Sequence, residues 1–226
     1  SNEMGQYKLW LYDRTEKKLR RLLKGEKKLN RIVDRSYPVL AWHPTGRALT
    51  YALEKRGELY LNTYTVDDRR TVTKPVFLLE KILSMAYSAD GQRMVFSGVR
   101  EGHTDLYQYY VIGNRQEQLT DDLFDDLDPR FVDDGKGIIF SSDRTDDTLR
   151  MEKDVTYHLA AKDIFIFDLE TRSPILQRMS RTPGFNETQP AQYDSSSYTY
   201  LSDKGGLNNR WLVTYDSAVS GIDTTV

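Results

Sequence analysis

Apolar and polar positions alternate in short segments that flank glycine turns along this chain. Segments 47–51 and 92–96 each follow a turn glycine and alternate over five residues. Alternation of this kind is typical of a β-strand that buries one face. Glycine accepts positive φ without steric cost, so a segment, a turn and a second segment predict an antiparallel hairpin.

The hairpin unit occurs three times at a nearly fixed interval. The turn glycines Gly46, Gly91 and Gly135 lie 45 and 44 residues apart. In each unit one aromatic residue precedes the glycine by four positions, and a second follows it by five. The aromatic pairs are Trp42 and Tyr51, Tyr87 and Phe96, and Phe131 and Phe140. This constant spacing predicts that both aromatics of a pair pack on a shared core.

Two further strands follow each hairpin. The predicted third strands are 58–61, 105–109 and 163–167, and the predicted fourth strands are 71–77, 116–120 and 174–180. Four short antiparallel strands in roughly 45 residues is the period of a propeller blade. We therefore predict an all-β fold, a β-propeller of about four to five four-stranded blades. A β-sandwich is the alternative, and the fixed period argues against it.

Partial copies of the unit flank the three complete ones. Segments 8–12 and 18–23 match the third and fourth strands of a blade, and 189–193, 198–203 and 210–215 match the first three. We predict a single domain over 3–226, with a half-blade at 7–27 and blades at about 37–80, 81–121, 126–181 and 188–226. The last blade either lacks a fourth strand or takes one from 218–226. If the half-blade pairs with the last blade, the ring closes by shared strands. If it does not, long sheet edges are exposed, which proteins avoid, and we then expect a fragment of a larger propeller.

The third unit resembles the TolB-like propeller repeat, a relative of the WD-type repeat that occurs in bacterial envelope proteins. The resemblance is carried by 128–135, by 137–144 with its triplet Ser142-Asp143-Arg144, and by 163–167; segment 201–206 is similar to a second copy. The first two units depart from the pattern, since Thr45 replaces the usual acid and Ser97-Gly98-Val99 replaces the triplet. The resemblance implies a propeller in the periplasm or on an outer-membrane-associated protein, with other domains in the same parent chain. It also implies a structural role for Asp143.

Composition narrows the classes of partner. The chain has 32 Lys and Arg against 34 Asp and Glu, so its total charge gives no reason to expect nucleic acid. It has no cysteine, which excludes disulfides and thiol chemistry. No segment approaches the roughly 20 apolar residues of a membrane span, and we predict no transmembrane segment. Charge is uneven, however, because residues 117–154 hold 13 acidic and 5 basic side chains.

Catalytic and metal-binding motifs are absent from the sequence. It contains neither Gly-x-Ser-x-Gly nor His-Glu-x-x-His, and His43, His103 and His158 lie in separate units. The acidic stretch 120–129 holds carboxylates of the type that bind Ca²⁺, but it fits no EF-hand loop. Asp and Pro also suit a connection between blades. We therefore predict no catalytic residue, no metal and no cofactor.

The long links are the best candidates for a binding face. In a propeller, the link between the second and third strands and the link between blades emerge on the same face, and loops gathered on one face usually bind partners. Here they are 120–129, 181–188 and 145–161, the last with Met151, Val155, His158 and Leu159 at helical spacing. The candidate ligand-binding residues are Asp121, Asp122, Asp125, Asp126, Asp146, Asp147, His158 and Phe185.

Three hypotheses for the function follow from these features. The first is a non-catalytic module or scaffold of a bacterial envelope protein that binds a protein or peptide through the links. The second is the propeller domain of a larger hydrolase, either a prolyl-oligopeptidase-like peptidase or an enzyme that acts on glycans. The third is a structural spacer. A hydrolase domain encoded after Val226 would favour the second hypothesis.

Overall fold

The computed structural model describes residues 2–3, 6–24, 38–149 and 161–215. Within these ranges the chain forms five antiparallel sheets, and each sheet is a meander in which neighbouring strands are consecutive in sequence. The N-terminal sheet consists of β1 (Asn2–Glu3), β2 (Gln6–Asp13) and β3 (Lys18–Lys24). The segments predicted as a half-blade therefore form β2 and β3, and the short β1 pairs with β2.

The other four sheets are blades 1 to 4. Blade 1 contains β4 (Val39–Trp42), β5 (Ala48–Lys55), β6 (Glu58–Thr65) and β7 (Arg70–Val76). Blade 2 contains β8 (Lys81–Tyr87), β9 (Arg93–Arg100), β10 (His103–Tyr110) and β11 (Arg115–Gln118). Blade 3 contains β12 (Asp126–Val132), β13 (Gly137–Ser142), β14 (Asp163–Asp168) and β15 (Gln177–Arg178). Blade 4 contains β16 (Glu187–Gln192), β17 (Ser197–Ser202) and β18 (Asn209–Thr214).

The fourth strand of blade 3 is shorter than the predicted 174–180. Pro174 has no N–H to donate to a sheet, and the backbone beside it pairs with the preceding link instead. Leu149 donates its N–H to the carbonyl of Pro174, and Leu176 donates to the carbonyl of Asp147. Segment 218–226, the alternative source of a fourth strand for blade 4, lies outside the described residues, as does most of the segment with helical spacing.

Four hydrophobic clusters hold the sheets face to face in chain order. Leu9 of the N-terminal sheet packs on Leu49 and Tyr51 of blade 1. The next three clusters join blade 1 to blade 2, blade 2 to blade 3, and blade 3 to blade 4. Each blade between the ends thus buries both of its faces, as strands with apolar residues on two sides require.

The two aromatics of each unit share a face of the blade but differ in burial. Phe96 and Phe140 are completely buried, and Tyr51 is nearly so. The first-strand aromatics Tyr87 and Phe131 are only half-buried, and Trp42 is 50% exposed. The prediction that both members pack in the core is therefore wrong for Trp42.

Contacts with the preceding blade explain why Trp42 differs. The Tyr87 hydroxyl bonds to the hydroxyl of Thr50 in blade 1 at 2.6 Å, and the Arg93 guanidinium of blade 2 lies 5.1 Å from the Phe131 ring. Within the described residues, the sheet before blade 1 supplies β2 and β3, of the third and fourth type, and only the two-residue β1 beside them. The described part of that neighbour therefore lacks the full first and second strands that would cover Trp42.

The repeated glycines serve packing between blades as well as turn geometry. Gly46, Gly91 and Gly135 have φ values of +69°, +71° and +83°, which side chains rarely adopt. A Cβ at Gly91 would lie 2.1 Å from Nε2 of His43, which comes from blade 1. By contrast, a Cβ at Gly46 would have no atom within 4 Å. The side chain of blade 1 thus occupies the space that the glycine of blade 2 leaves open.

Gly91→Ala is expected to destabilise the protein by about 1–2 kcal/mol more than Gly46→Ala, which has the same backbone strain. The excess arises because the new methyl group forces the imidazole of His43 out of its site, an overpacking effect. Urea unfolding of both variants measures the difference. Equal losses of unfolding free energy in the two variants would show that the contact with His43 contributes nothing.

Candidate binding face and the buried network beneath it

One end of the blades carries the loop face, which we define as the links 77–80, 119–125, 143–149, 179–186 and 203–208. Hydrogen bonds show that neighbouring links touch. The Asp125 N–H donates to Oδ1 of Asp143 at 2.8 Å, and the Asn186 N–H donates to Oδ1 of Asp203 at 2.8 Å. Asp143 of blade 3 therefore fixes the end of link 119–125, which precedes that blade, and this is a structural role. These bonds join link 119–125 to 143–149 and link 179–186 to 203–208, and the ion pair between Arg181 and Asp147 at 3.7 Å joins the two groups.

Large apolar side chains are exposed on the loop face. They are Phe77 (63% exposed), Leu78 (73%), Phe185 (37%) and Leu207 (75%). Leu78 also has a φ of +67°, a conformation that costs a branched side chain about 1 kcal/mol or more. Exposed apolar groups and strained backbone are both features of interaction sites.

Sequence reasoning found Phe185 and missed the other three apolar residues. The sequence pattern predicts that Phe77 belongs to the fourth strand of blade 1, whereas β7 ends at Val76. A signal was available, because two large apolar residues follow the strand directly and precede the next blade. Leu207 follows Gly205 and Gly206 directly after the segment 201–206, whose pattern indicates only a resemblance to the repeat.

The predicted acidic candidates divide into surface and interior groups. Asp121 and Asp125 are exposed on the loop face. Asp147 is partly exposed and pairs with Arg178 at 3.2 Å, while Asp146 accepts hydrogen bonds from Thr148. Asp122 and Asp126 are buried, at 7% and 0% exposure, so a macromolecular partner cannot contact them. His158 lies outside the described residues.

Asp122 and Asp126 belong to a buried network centred on Arg144. The guanidinium is 1% exposed and donates from Nη1 to Asp122 Oδ2 at 3.1 Å and from Nη2 to Asp126 Oδ1 at 2.7 Å. Its Nε donates to the hydroxyl of Ser142 at 3.1 Å. Arg144 is the third residue of the triplet that carries the family resemblance, and its guanidinium lies between blades 2 and 3. Burial raises the pKa of both carboxyls, and the facing guanidinium opposes that rise.

Asp105 brings a third carboxylate to the network from the start of β10. It is 2% exposed, accepts a hydrogen bond from Gln118 Nε2 at 3.2 Å, and lies 3.4 Å from the N–H of Asp122. Burial and the charge of Asp126 raise the pKa of Asp105 to about 7. Nothing in the local spacing of the sequence connects Asp105 with Asp122 and Asp126.

A related arrangement recurs between blades 3 and 4, but there it is more open. Asp163 occupies the position of Asp105 and accepts the N–H of Thr182 at 3.2 Å. Lys204 takes the place of Arg144; it is exposed, and its Nζ lies 5.6 Å from the ring of Trp211. The fully buried guanidinium with three carboxylates is therefore specific to the interface of blades 2 and 3 within the described residues.

The two described histidines, His43 and His103, lie in different blades, and each has neighbours from the blades themselves. His43 follows β4, bonds through Nδ1 to Thr45 Oγ1 at 2.8 Å, and meets the Tyr87 ring edge-on at 5.1 Å. His103 begins β10 opposite Arg100. The part of the chain that the structure describes has no helix long and apolar enough to cross a membrane.

Comparison with known proteins rests on structure. No family model matches the sequence, and no curated protein matches it. TolB from Acinetobacter baumannii superposes with a TM-score of 0.61 and 17% identity over 86% of this chain. The Agrobacterium tumefaciens protein described as a TolB gives 0.62 and 15% over 92%. The described residues have the fold of part of a TolB-like β-propeller.

The TolB-like propeller also resembles propellers of other proteins. A prolyl endopeptidase structure matches 84% of this chain with a TM-score of 0.54, and the Dos1 propeller matches 84% with 0.53, both at 11% identity. Such low identities establish the fold alone. The chain spans 43% and 65% of the two TolB chains and 28% of the endopeptidase.

Proposed function

We propose that this TolB-like propeller is a non-catalytic module that binds a protein or peptide through its loop face. In this proposal it belongs to a bacterial envelope protein, in the periplasm or at the outer membrane, and its parent chain has further domains. The observation that carries the proposal is the exposure of Phe77, Leu78, Phe185 and Leu207 on links at one end of the blades.

The strained backbone at Leu78 adds a second argument. A glycine there would adopt φ of +67° without cost, yet the chain presents a leucine that is mostly in water. Neither the backbone conformation nor the burial of Leu78 stabilises the folded state. In this proposal its side chain therefore contacts the partner. Asp121 and Asp125 are exposed on the same face, and in this proposal they supply polar contacts to the partner.

Leu78→Gly is expected to weaken partner binding at least tenfold while the free energy of unfolding changes by less than about 1 kcal/mol. Glycine relieves the backbone strain, and this offsets its greater freedom in the unfolded chain. Peptides selected from a phage-displayed random library on the wild-type protein provide the probe, with affinity measured by isothermal titration calorimetry.

Ile112→Ser is the matched control for this experiment. Ile112 is 82% exposed in the link after β10, at the opposite end of blade 2. Its variant should bind the selected peptides like the wild type. Peptides that lose affinity on Ile112→Ser and keep it on Leu78→Gly would place the binding site at the other end of the blades and reject the loop face.

The alternative is the propeller domain of a larger hydrolase. The structural match to a prolyl endopeptidase favours it, since the matched region is 28% of that chain. A catalytic domain encoded in the same reading frame would decide between the two proposals, together with peptidase activity of the full-length product.

A further inference from the structure

Three carboxylates from separate elements converge in the buried network between blades 2 and 3. Asp105 lies in β10, Asp122 in the link that follows blade 2, and Asp126 at the start of β12. One oxygen of each lies within 4.8 Å of the corresponding oxygens of the other two. All three side chains are buried, so bulk water does not screen their mutual repulsion.

One oxygen of this group has no partner. Asp126 is completely buried, and its Oδ1 accepts a hydrogen bond from Arg144, but Oδ2 has no hydrogen-bond partner. A buried carboxylate oxygen left without a donor is costly, and such groups are rare in native proteins. The orphaned oxygen therefore indicates a ligand that is absent from the polypeptide itself.

The charge of the network indicates the same conclusion. Among the described residues, Arg144 is the cation that pairs with these carboxylates, and it contacts Asp122 and Asp126. When all three carboxyls are ionised, one guanidinium leaves two negative charges uncompensated in the interior. A divalent cation would balance them.

The donor set selects the class of cation. It consists of carboxylate oxygens, without histidine or cysteine, which suits hard cations rather than transition metals. Ca²⁺ accepts six to eight oxygens in flexible geometry, whereas Mg²⁺ requires a nearly ideal octahedron.

We propose that Asp105, Asp122 and Asp126 form a Ca²⁺ site between blades 2 and 3, beneath the loop face. Backbone carbonyls or water supply the remaining ligands. The cation would join the third strand of blade 2, the blade-to-blade link and the first strand of blade 3. The site does not depend on the proposed function, because its ligands are interior residues.

Thermal unfolding of chelator-treated protein tests the site. At pH 7.5, 5 mM CaCl₂ is expected to raise the Tm of the wild type by about 3 °C, as a site of roughly 0.5 mM affinity would. MgCl₂ at the same concentration should have a smaller effect. Asp105→Asn removes one charge without changing the volume and should abolish the Ca²⁺-dependent rise.

Asp121→Asn is the matched control, because Asp121 is exposed, adjacent to the ligand Asp122, and outside the cluster. It should keep the full rise in Tm. If Asp105→Asn does not fold, Asp126→Asn replaces it. Equal rises in wild type and Asp105→Asn would show non-specific binding and overturn the proposal.

The competing explanation is that a proton on Asp105, and not Ca²⁺, relieves the repulsion among the three carboxylates. Measurements on the same samples distinguish the two explanations. A carboxyl whose folded-state pKa is raised stabilises the protein at low pH, and this stabilisation is lost as pH rises through about 7. If the wild type loses stability between pH 5 and 8, Asp105→Asn does not, and Ca²⁺ has no effect on either, the proton holds the site and the Ca²⁺ proposal is wrong.

Discussion

Arg144→Met is expected to lower the free energy of unfolding by about 3–5 kcal/mol, the largest loss from any single charged residue described here. Methionine fills much of the same volume, so the loss is chiefly electrostatic. The substitution leaves Asp122 and Asp126 buried without the guanidinium that they share. Removing one partner of a buried ion pair costs far more stability than removing the whole pair. Urea unfolding at pH 7.5 measures the change.

Two comparisons make this prediction specific. Arg172→Met breaks an ion pair with Glu117 whose arginine is 51% exposed, and it should cost less than about 1 kcal/mol. In Arg144→Met the loss should shrink at pH 5, where protonation neutralises the abandoned carboxylates. A loss below 1 kcal/mol at pH 7.5 would mean that the network does not stabilise the interface.

Phe140→Ala is expected to cost about 3–5 kcal/mol, while Trp42→Ala costs about 1 kcal/mol or less. Phe140 is completely buried in the cluster between blades 2 and 3, where its ring lies 6.1 Å from that of Phe165. Removing a buried phenyl group loses its transfer free energy and leaves a cavity. Trp42 has the same kind of position in the repeat but is 50% exposed. Thermal and urea unfolding of both variants measures the contrast, and similar losses in the two would contradict the burial pattern.

The fold was predictable because its signals are local and repeated. A turn glycine, two aromatics nine residues apart and two following strands recur in each unit, and each signal depends on a few neighbouring residues. The hairpins formed as predicted, and the N-terminal segments formed the β2–β3 pair. Burial was less predictable, since it depends on what the adjacent blade contributes. Trp42 carries the same local pattern as Tyr87, yet in the described part of the chain a complete blade precedes Tyr87 and not Trp42.

The candidate site was predictable in part. The sequence indicated which links share a face, because strand order determines where each link emerges. It did not indicate which acidic residues turn inward. Asp121 and Asp122 are neighbours with the same chemistry, yet Asp121 is exposed and Asp122 is buried. The difference depends on Arg144, which lies 22 residues beyond Asp122 and donates a hydrogen bond to it. Asp105 was not among the candidates, because its contacts with Asp122 and Asp126 exist only after two blades have packed.

Within the described residues each sheet packs only on its sequence neighbours, and this has a consequence for unfolding. Stability in such a linear array is a sum of local terms and nearest-neighbour terms, so structure can be lost progressively from either end. The N-terminal sheet and blade 4 are the places where fraying should begin. The Arg144 network lies between two inner blades, so its amide hydrogens should be among the last to exchange with solvent.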